Sequence, residues 1–347
     1  MSNVREIARP SADRLPSDLV IRPPFRPHPL VRGGHAQTLA GVYLRHDGAP
    51  ETAERRLLTL PDGDRLVLHD DLPPDWRPSR RVALLIHGLS GSHASGYMRR
   101  TAAKLVARGV RAVRLELRGC GAGRGLAILP YNAGRSDDAA RAIDFIAALA
   151  AGSPVTVIGF SLGGNIALKL LGELGAERCG GLDSGVAVCP PIELATCSRN
   201  IGRLSNRAYD RHFVRTLTAG LAELRRLRPE APGTLLPRQA RSLEDFDDLY
   251  TAPVSGYGGV ENYYRLASSK PLLGAIRRPT LVIAAADDPL IPRSIFAGLP
   301  ANDAVRYCEA PSGGHLGFVG RSGIDADRRW LDWRIVEWVT GLEGRAG

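Results

Sequence analysis

Lysine is scarce in this chain: Lys104, Lys169 and Lys270 are its only lysines among 46 basic residues, so the net charge of +10 is arginine charge. The arginines are scattered and do not cluster with aromatics on one segment, so no nucleic-acid partner is expected and the arginines read as solvated faces. Long hydrophobic runs are also missing. The best of them, Val82–Ile86 and Val155–Phe160, fall far short of a bilayer span, and no stable membrane insertion is expected. Residues 1–25 are polar and punctuated by proline, without the apolar centre of a secretory signal, so a cytoplasmic protein is expected. Cysteine is sparse and odd in number, with Cys120, Cys179, Cys189, Cys197 and Cys308 forming no C-x-x-C pair. That pattern indicates neither a disulfide framework nor a zinc site. Neither H-E-x-x-H nor G-x-x-x-x-G-K-[ST] occurs, and Gly119, Gly121, Gly123 and Gly125 do not fall in the G-x-G-x-x-G register. No metal and no cofactor are expected, and those glycines read as turn and close-packing residues.

What is present is a chain of 347 residues, 44% of them hydrophobic, enough for one large α/β domain with an insertion. Residues 1–55 read as an N-terminal extension packed on the core. Its start, through about Tyr43, holds the proline-rich run from Pro23 to Pro29 and is not expected to form a regular helix. The segment Pro61-Asp62-Gly63-Asp64 between two alternating apolar runs signals a hairpin. Strands then alternate with amphipathic helices through residue 189: strands at 82–86, 110–117, 155–160 and 185–188, helices at 97–108, 138–150 and 165–174. Such alternation implies right-handed crossovers and a mainly parallel central sheet flanked by helices. Residues 190–275 hold helical patterns, such as 213–227, but no apolar strand, and read as an inserted helical cap. The core resumes over 276–347, with strands at 280–285 and 304–308 and a closing helix at 328–340.

Gly159-Phe160-Ser161-Leu162-Gly163 fits G-x-S-x-G at the point where a strand ends and a helix begins. That context presents the serine on a tight turn as a nucleophile. Because a serine hydroxyl is a weak nucleophile at neutral pH, an imidazole must take its proton and a carboxylate must orient that imidazole. In an α/β sheet of this kind the chain order is serine, acid, histidine. Asp287-Asp288 follows the strand at 280–285, and Asp288, four residues before the Pro292 expected to start a helix, is preferred as the acid, with Asp287 the fallback and otherwise a solvated loop residue. Should neither serve, Glu193 on the preceding loop is the next candidate. His315, in Gly313-Gly314-His315-Leu316-Gly317, is the candidate general base, with His35 behind it. The backbone N–H groups of Leu89 and Leu162 are the candidate oxyanion donors. His87, before Gly88, reads as a loop brace.

Together, His87-Gly88-Leu89, Arg118-Gly119-Cys120-Gly121, the segment from Gly159 to Asn165, Asp287-Asp288-Pro289 and the segment from Gly314 to Phe318 resemble the AB hydrolase superfamily 4, bacterial hydrolases within the α/β-hydrolases. The leader from Pro29 to Leu39 is similar to that family's N-terminal signature, so the likeness spans nearly the whole chain. The resemblance implies the α/β-hydrolase fold and hydrolysis of short- to medium-chain carboxylic esters through an acyl-enzyme, on a small-molecule or lipid-like substrate. Acyl transfer to an alcohol, or lipid and monoacylglycerol cleavage, are the alternatives on the same triad. A non-catalytic binding protein ranks last, since all three triad candidates are present.

Overall fold

The computed structural model describes residues 23–44, 53–233 and 238–342. Of the leader expected over 1–55, residues 1–22 and 45–52 therefore lie outside the described residues. An eight-stranded sheet runs in the order β1-β2-β4-β3-β5-β6-β7-β8. Its strands are β1 (Glu54–Thr59), β2 (Arg65–Asp71), β3 (Val82–Ile86), β4 (Arg111–Glu116), β5 (Val155–Phe160), β6 (Leu182–Val188), β7 (Thr280–Ala285) and β8 (Val305–Ala310). β1 and β2 form the hairpin, with Gly63 at φ 87° in its turn. β2 joins β4 antiparallel, and every pairing from β4 to β8 is parallel.

Among the described residues the α-helical segments are α1 (Gly34–Tyr43), α2 (Gly96–Val106), α3 (Ser136–Leu149), α4 (Leu162–Leu174), α5 (Leu194–Ile201), α6 (Arg207–Leu227), α7 (Leu243–Phe246), α8 (Ala252–Val254), α9 (Val260–Ala267) and α10 (Trp330–Gly341). One face of the sheet packs on α3 and α4 through Ile143, Ile146, Ile166 and Leu170. The other packs on α2 and α10 through Met98, Leu105, Ile335 and Val339. With both faces covered, β3 and β5 are buried at every position, which is why they read as unbroken apolar runs. β8 lies at the edge and is only half-buried, which accounts for its weaker apolar signal. Between β6 and β7 lie α5 to α9 and short 3-10 and π turns, with no strand among the described residues. None of the described helices is long and apolar enough to cross a membrane.

Three expectations are corrected. The leader does contain a regular helix, α1, because the prolines stop at Pro29 and leave the segment from Gly34 onward free to close its hydrogen bonds. Between Asp288 and β8 there is no α-helix but a 3-10 turn, Arg293–Phe296. The arginines, finally, are not confined to solvated faces. Arg81, Arg111, Arg114 and Arg118 are buried. Each meets a carboxylate through two nitrogens: Arg81 with Asp183 at 2.6 and 2.8 Å, Arg111 with Asp70 at 2.7 and 2.5 Å, Arg114 with Asp71 at 2.7 and 3.2 Å. A planar guanidinium that stays charged can enter the interior when a carboxylate matches its fork, whereas a lysine offers only a point charge.

Arg118 shows what such a pair does for the fold. It donates to both oxygens of Asp138 at 2.7 Å, to Asp62 at 2.6 Å and to Asp64 at 2.7 Å. It thus ties the β1–β2 turn and the start of α3 to the end of β4. Asp64 and Asp138 are themselves buried, so removing the cation leaves carboxylates in a poor solvent. Arg118→Met is expected to lower stability by about 3–5 kcal/mol, read from the urea unfolding midpoint.

Asp247 starts the π turn Asp247–Thr251 between α7 and α8. Its Oδ2 lies 2.9 Å from the Tyr264 hydroxyl, and burial pushes its carboxyl up to about 7. A folded-state pKa raised above the unfolded value of 3.8 means that the folded protein holds this proton more tightly. Its contribution to stability is complete below about pH 4 and is lost as pH rises through about 7. Asp247→Asn should therefore flatten that part of the decline in stability between about pH 5 and about pH 8, checked by urea midpoints of both proteins at the two pH values.

Candidate active site

Ser161 follows β5 and precedes α4 with φ 54° and ψ −119°, a conformation that a residue with a side chain holds only under constraint. The constraint comes from close approach on both sides. A Cβ at Gly159 would collide with the backbone of Gly163, and one at Gly163 with the carbonyls of Ile86 and His87. No other residue type fits either position, which is the physical content of the two glycines in the motif. The Ser161 N–H donates to the Val188 carbonyl at 2.8 Å, fastening the turn to β6. Asn165, one turn into α4 and fully buried, donates to the carbonyls of Ala133 and Ala267 at 3.0 and 2.8 Å and accepts from the Ser269 N–H at 3.0 Å. It links α4 to the segment returning from α9.

The structure brings Ser161, His315 and Asp288 together from three separate strand ends. His315 Nε2 lies 2.9 Å from Ser161 Oγ, and its Nδ1 lies 2.8 Å from Asp288 Oδ2. Asp288 aims that oxygen because its other one is occupied, Oδ1 accepting the N–H groups of Leu290 at 2.8 Å and Ile291 at 3.0 Å. From the helical side, Asn200 and Asn206 donate to the Pro289 carbonyl at 2.8 and 2.7 Å and hold the acid loop. With Nδ1 donating to Asp288, the neutral imidazole presents a lone pair at Nε2 toward the serine.

The loop after β3 lies over Ser161, with Gly88 so close that a Cβ there would sit 3.0 Å from Ser161 Cβ. Its N–H groups on either side of Leu89 are taken by phenols, Gly88 by Tyr97 at 3.0 Å and Ser90 by Tyr131 at 3.1 Å. The N–H of Leu162, in the first turn of α4, has no partner within the helix, as helix geometry requires. His87, fully buried, receives the Leu117 N–H at Nε2 over 3.2 Å, while its Nδ1 lies 2.8 Å from the Gly88 carbonyl. Burial holds this imidazole below its usual range, so it stays neutral and braces the loop. A cavity of about 500 Å³ opens on Ser161 and His315. Leu89, Tyr131, Leu194, Leu221, Phe246 and Ile291 give it an apolar lining, much of it supplied by the helices between β6 and β7.

The fallback residues have other positions. Asp287 is not a solvated loop acid: its Oδ1 accepts the Gly314 N–H at 2.9 Å and steadies the histidine loop. Glu193 pairs with Lys270 at 2.9 Å and with Thr196, which keeps its carboxyl below the usual range. His35 stacks on Tyr209, its Nδ1 3.1 Å from the phenol oxygen. A Cβ on Gly121 would collide with the Glu116 carboxylate, so the glycine run is shaped by packing. Spacing alone does not reveal that His69, His93 and Glu116 gather within 4.8 Å of one another. The two rings stack at 3.5 Å with 3° between planes, so their in-plane lone pairs run parallel and do not converge on one ion. Sequence reasoning missed Tyr97, Tyr131 and the bonds of Asn165. A lone phenol or amide has no motif, and only the turn segment Gly163-Gly164-Asn165 offered a hint.

Known proteins share the family and the fold. The Alpha/beta hydrolase family matches residues 83–323. YheT of Escherichia coli, a protein carrying an esterase name, is 32% identical over 314 residues, covering 88% of this chain and 90% of its own. The monoacylglycerol lipase of Saccharomyces cerevisiae is 26% identical over 272 residues, covering 75% of this chain and 59% of its own. Among solved structures, Est1E from Butyrivibrio proteoclasticus superimposes with a TM-score of 0.54 at 13% identity, covering 84% of this chain and 99% of that one. By sequence and by its layered, mainly parallel sheet, the chain belongs to the alpha/beta hydrolase family.

Proposed function

We propose that this protein is a serine carboxylesterase of the AB hydrolase superfamily 4, cleaving short- to medium-chain acyl esters through an acyl-enzyme. In this reading residues 190–275 act as the cap over the site and residues 1–55 as a leader on the core. The observation that carries the proposal is the hydrogen-bonded line from Ser161 Oγ through His315 to Asp288, with spacings of 2.9 and 2.8 Å.

In the first step Ser161 Oγ bonds to the ester carbonyl carbon while its proton passes to His315 Nε2. Asp288 holds Nδ1–H and stabilises the imidazolium that results. The carbonyl oxygen becomes an oxyanion facing the N–H groups of Leu89 and Leu162, and each such donor is worth on the order of 10²–10³ in rate in enzymes of this type. Collapse of the intermediate breaks the ester C–O bond, and the departing alcohol takes the proton from His315. Water then gives a proton to His315 and its oxygen to the acyl carbon; release of the acid returns that proton to Ser161. The apolar cavity fits the acyl chain, whose burial supplies binding energy without any charged partner.

Three experiments follow. A fluorophosphonate should label the protein covalently, and Ser161→Ala should abolish both labelling and hydrolysis of p-nitrophenyl esters; undiminished labelling of that variant overturns the nucleophile assignment. Asp288→Asn should lower kcat by several orders of magnitude, with about 10⁴ as the guide from a protease triad. Asp287→Asn keeps an acceptor for Gly314 and should lose only about tenfold, the scale of one weakened charge-assisted hydrogen bond. Leu221→Trp, which adds bulk to the cavity lining, should move the preferred p-nitrophenyl ester to a shorter chain while fluorophosphonate labelling persists.

A further inference from the structure

Helix α1 docks in an unusual way. Its larger apolar side chains, Leu39, Val42 and Tyr43, point to solvent, and its two buried residues are the polar pair Gln37 and Thr38. What they meet is the backbone of the loop that carries His315. The Thr38 hydroxyl accepts the His315 N–H at 2.9 Å and donates to the Gly34 carbonyl at 2.7 Å, so its single proton and a lone pair are both engaged. Gln37 accepts the Val319 N–H at 2.7 Å through Oε1, and through Nε2 donates to the carbonyls of Val31 at 2.7 Å and Val319 at 3.1 Å. Glycines make the approach possible. A Cβ at Gly34 would strike the Asp287 carbonyl, one at Gly314 the Gly34 carbonyl, and one at Gly317 the Gln37 carbonyl.

The loop itself is strained, with Gly314, Leu316 and Phe318 at φ 57°, 61° and 42°. Positive φ at two residues with side chains persists only where the surroundings impose it. On one side of the loop Asp287 holds Gly314 and Asp288 holds the imidazole; on the other Thr38 holds His315 and Gln37 holds Val319. A helix bound through hydrogen bonds and bare backbone adds little hydrophobic burial, so what it contributes is the register of residues 313–319.

We infer that α1 is a positioning element of the active site: Thr38, supported by Gln37, sets the backbone of His315 so that its Nε2 stays within reach of Ser161. This rests on the proposed esterase reading and adds to it a requirement for the leader helix in the turnover step. Thr38 touches no reacting atom; it acts through His315. Loss of its hydroxyl releases the His315 N–H and lets the imidazole drift, which affects kcat more than substrate binding, because the cavity is built from other elements.

The test compares Thr38→Val, which keeps the volume and removes the hydroxyl, with Thr38→Ser, which keeps the hydroxyl and removes a methyl. Both are assayed on a p-nitrophenyl ester beside wild type and Ser161→Ala, with rates expressed per folded molecule from circular dichroism. Thr38→Val should lose on the order of ten- to a hundredfold in kcat with KM within about twofold, and Thr38→Ser should remain near wild type. A simple packing role gives the opposite ranking, Val above Ser. That ranking, or a Thr38→Val enzyme with wild-type kcat, overturns the inference while a dead Ser161→Ala leaves the esterase reading intact. If wild type shows no ester turnover, or Ser161→Ala is equally active, both fall together. Should Thr38→Val fail to fold, Thr38→Ala takes its place in the same ranking against Thr38→Ser.

Discussion

Three side chains carried on separate strand ends must meet within hydrogen-bond distance, and the sharp turn at Ser161 is the constraint from which the rest follows. β5 lies between β3 and β6, so the turn at its end is gripped from both sides: Gly163 against the carbonyls after β3, and the Ser161 N–H on β6. A backbone conformation of this kind costs on the order of 1–3 kcal/mol and needs surroundings that leave it no alternative. Ser90, Ser161, Cys189, Leu316 and Phe318 make up five of the six positive-φ residues with side chains among the described residues, and all five lie on the turns that form the site. Strain is therefore concentrated where the serine, the acid and the imidazole meet.

Around that centre the loops are held by polar contacts more than by apolar packing. Tyr97 and Tyr131 occupy the N–H groups flanking Leu89, Asp288 is seated by Leu290 and Ile291, and the histidine loop lies between Asp287 and α1. Hydrogen bonds fix direction as well as distance, which apolar contacts do not, and direction is what an aligned imidazole requires. The same logic explains the arginines of the sheet. Arg111 and Arg114 on β4 lie beside Asp70 and Asp71 on β2, so the single antiparallel junction with β4 is stitched by forked ion pairs in its interior. Exchanging such a pair for apolar residues need not destabilise a protein, but removing one partner does.

The helices between β6 and β7 have a different character. α6 buries only Asp210 and Leu221 among its 21 residues, and its inner side lines the cavity without filling it. Its apolar stripe is regular, with Tyr209, Phe213 and Leu217 packed half-buried against the core, so what the helix lacks is full burial and not pattern. Pattern reading placed its start at Phe213, six residues late, because Arg207, Asp210 and Arg211 dilute the first turns, where Tyr209 begins the stripe.

By itself the sequence determined whatever depends on neighbours along the chain. The hairpin turn, the buried strands β3, β5 and β7, the serine between its glycines and the histidine in its glycine-rich loop are all local patterns, set by backbone sterics and by the two-fold or 3.6-fold spacing of apolar residues. Tertiary structure decided what depends on groups far apart. Asp287 and Asp288 are adjacent and chemically identical in the sequence; only the folded loop turns one to the imidazole of His315 and the other to the backbone of Gly314. Arg118 gives no hint in the sequence of the carboxylates that let it be buried, and Thr38 lies 277 positions from the histidine whose N–H it accepts. A hydrogen bond or ion pair of that kind leaves no periodicity behind, because its two ends come together only when the chain between them has folded.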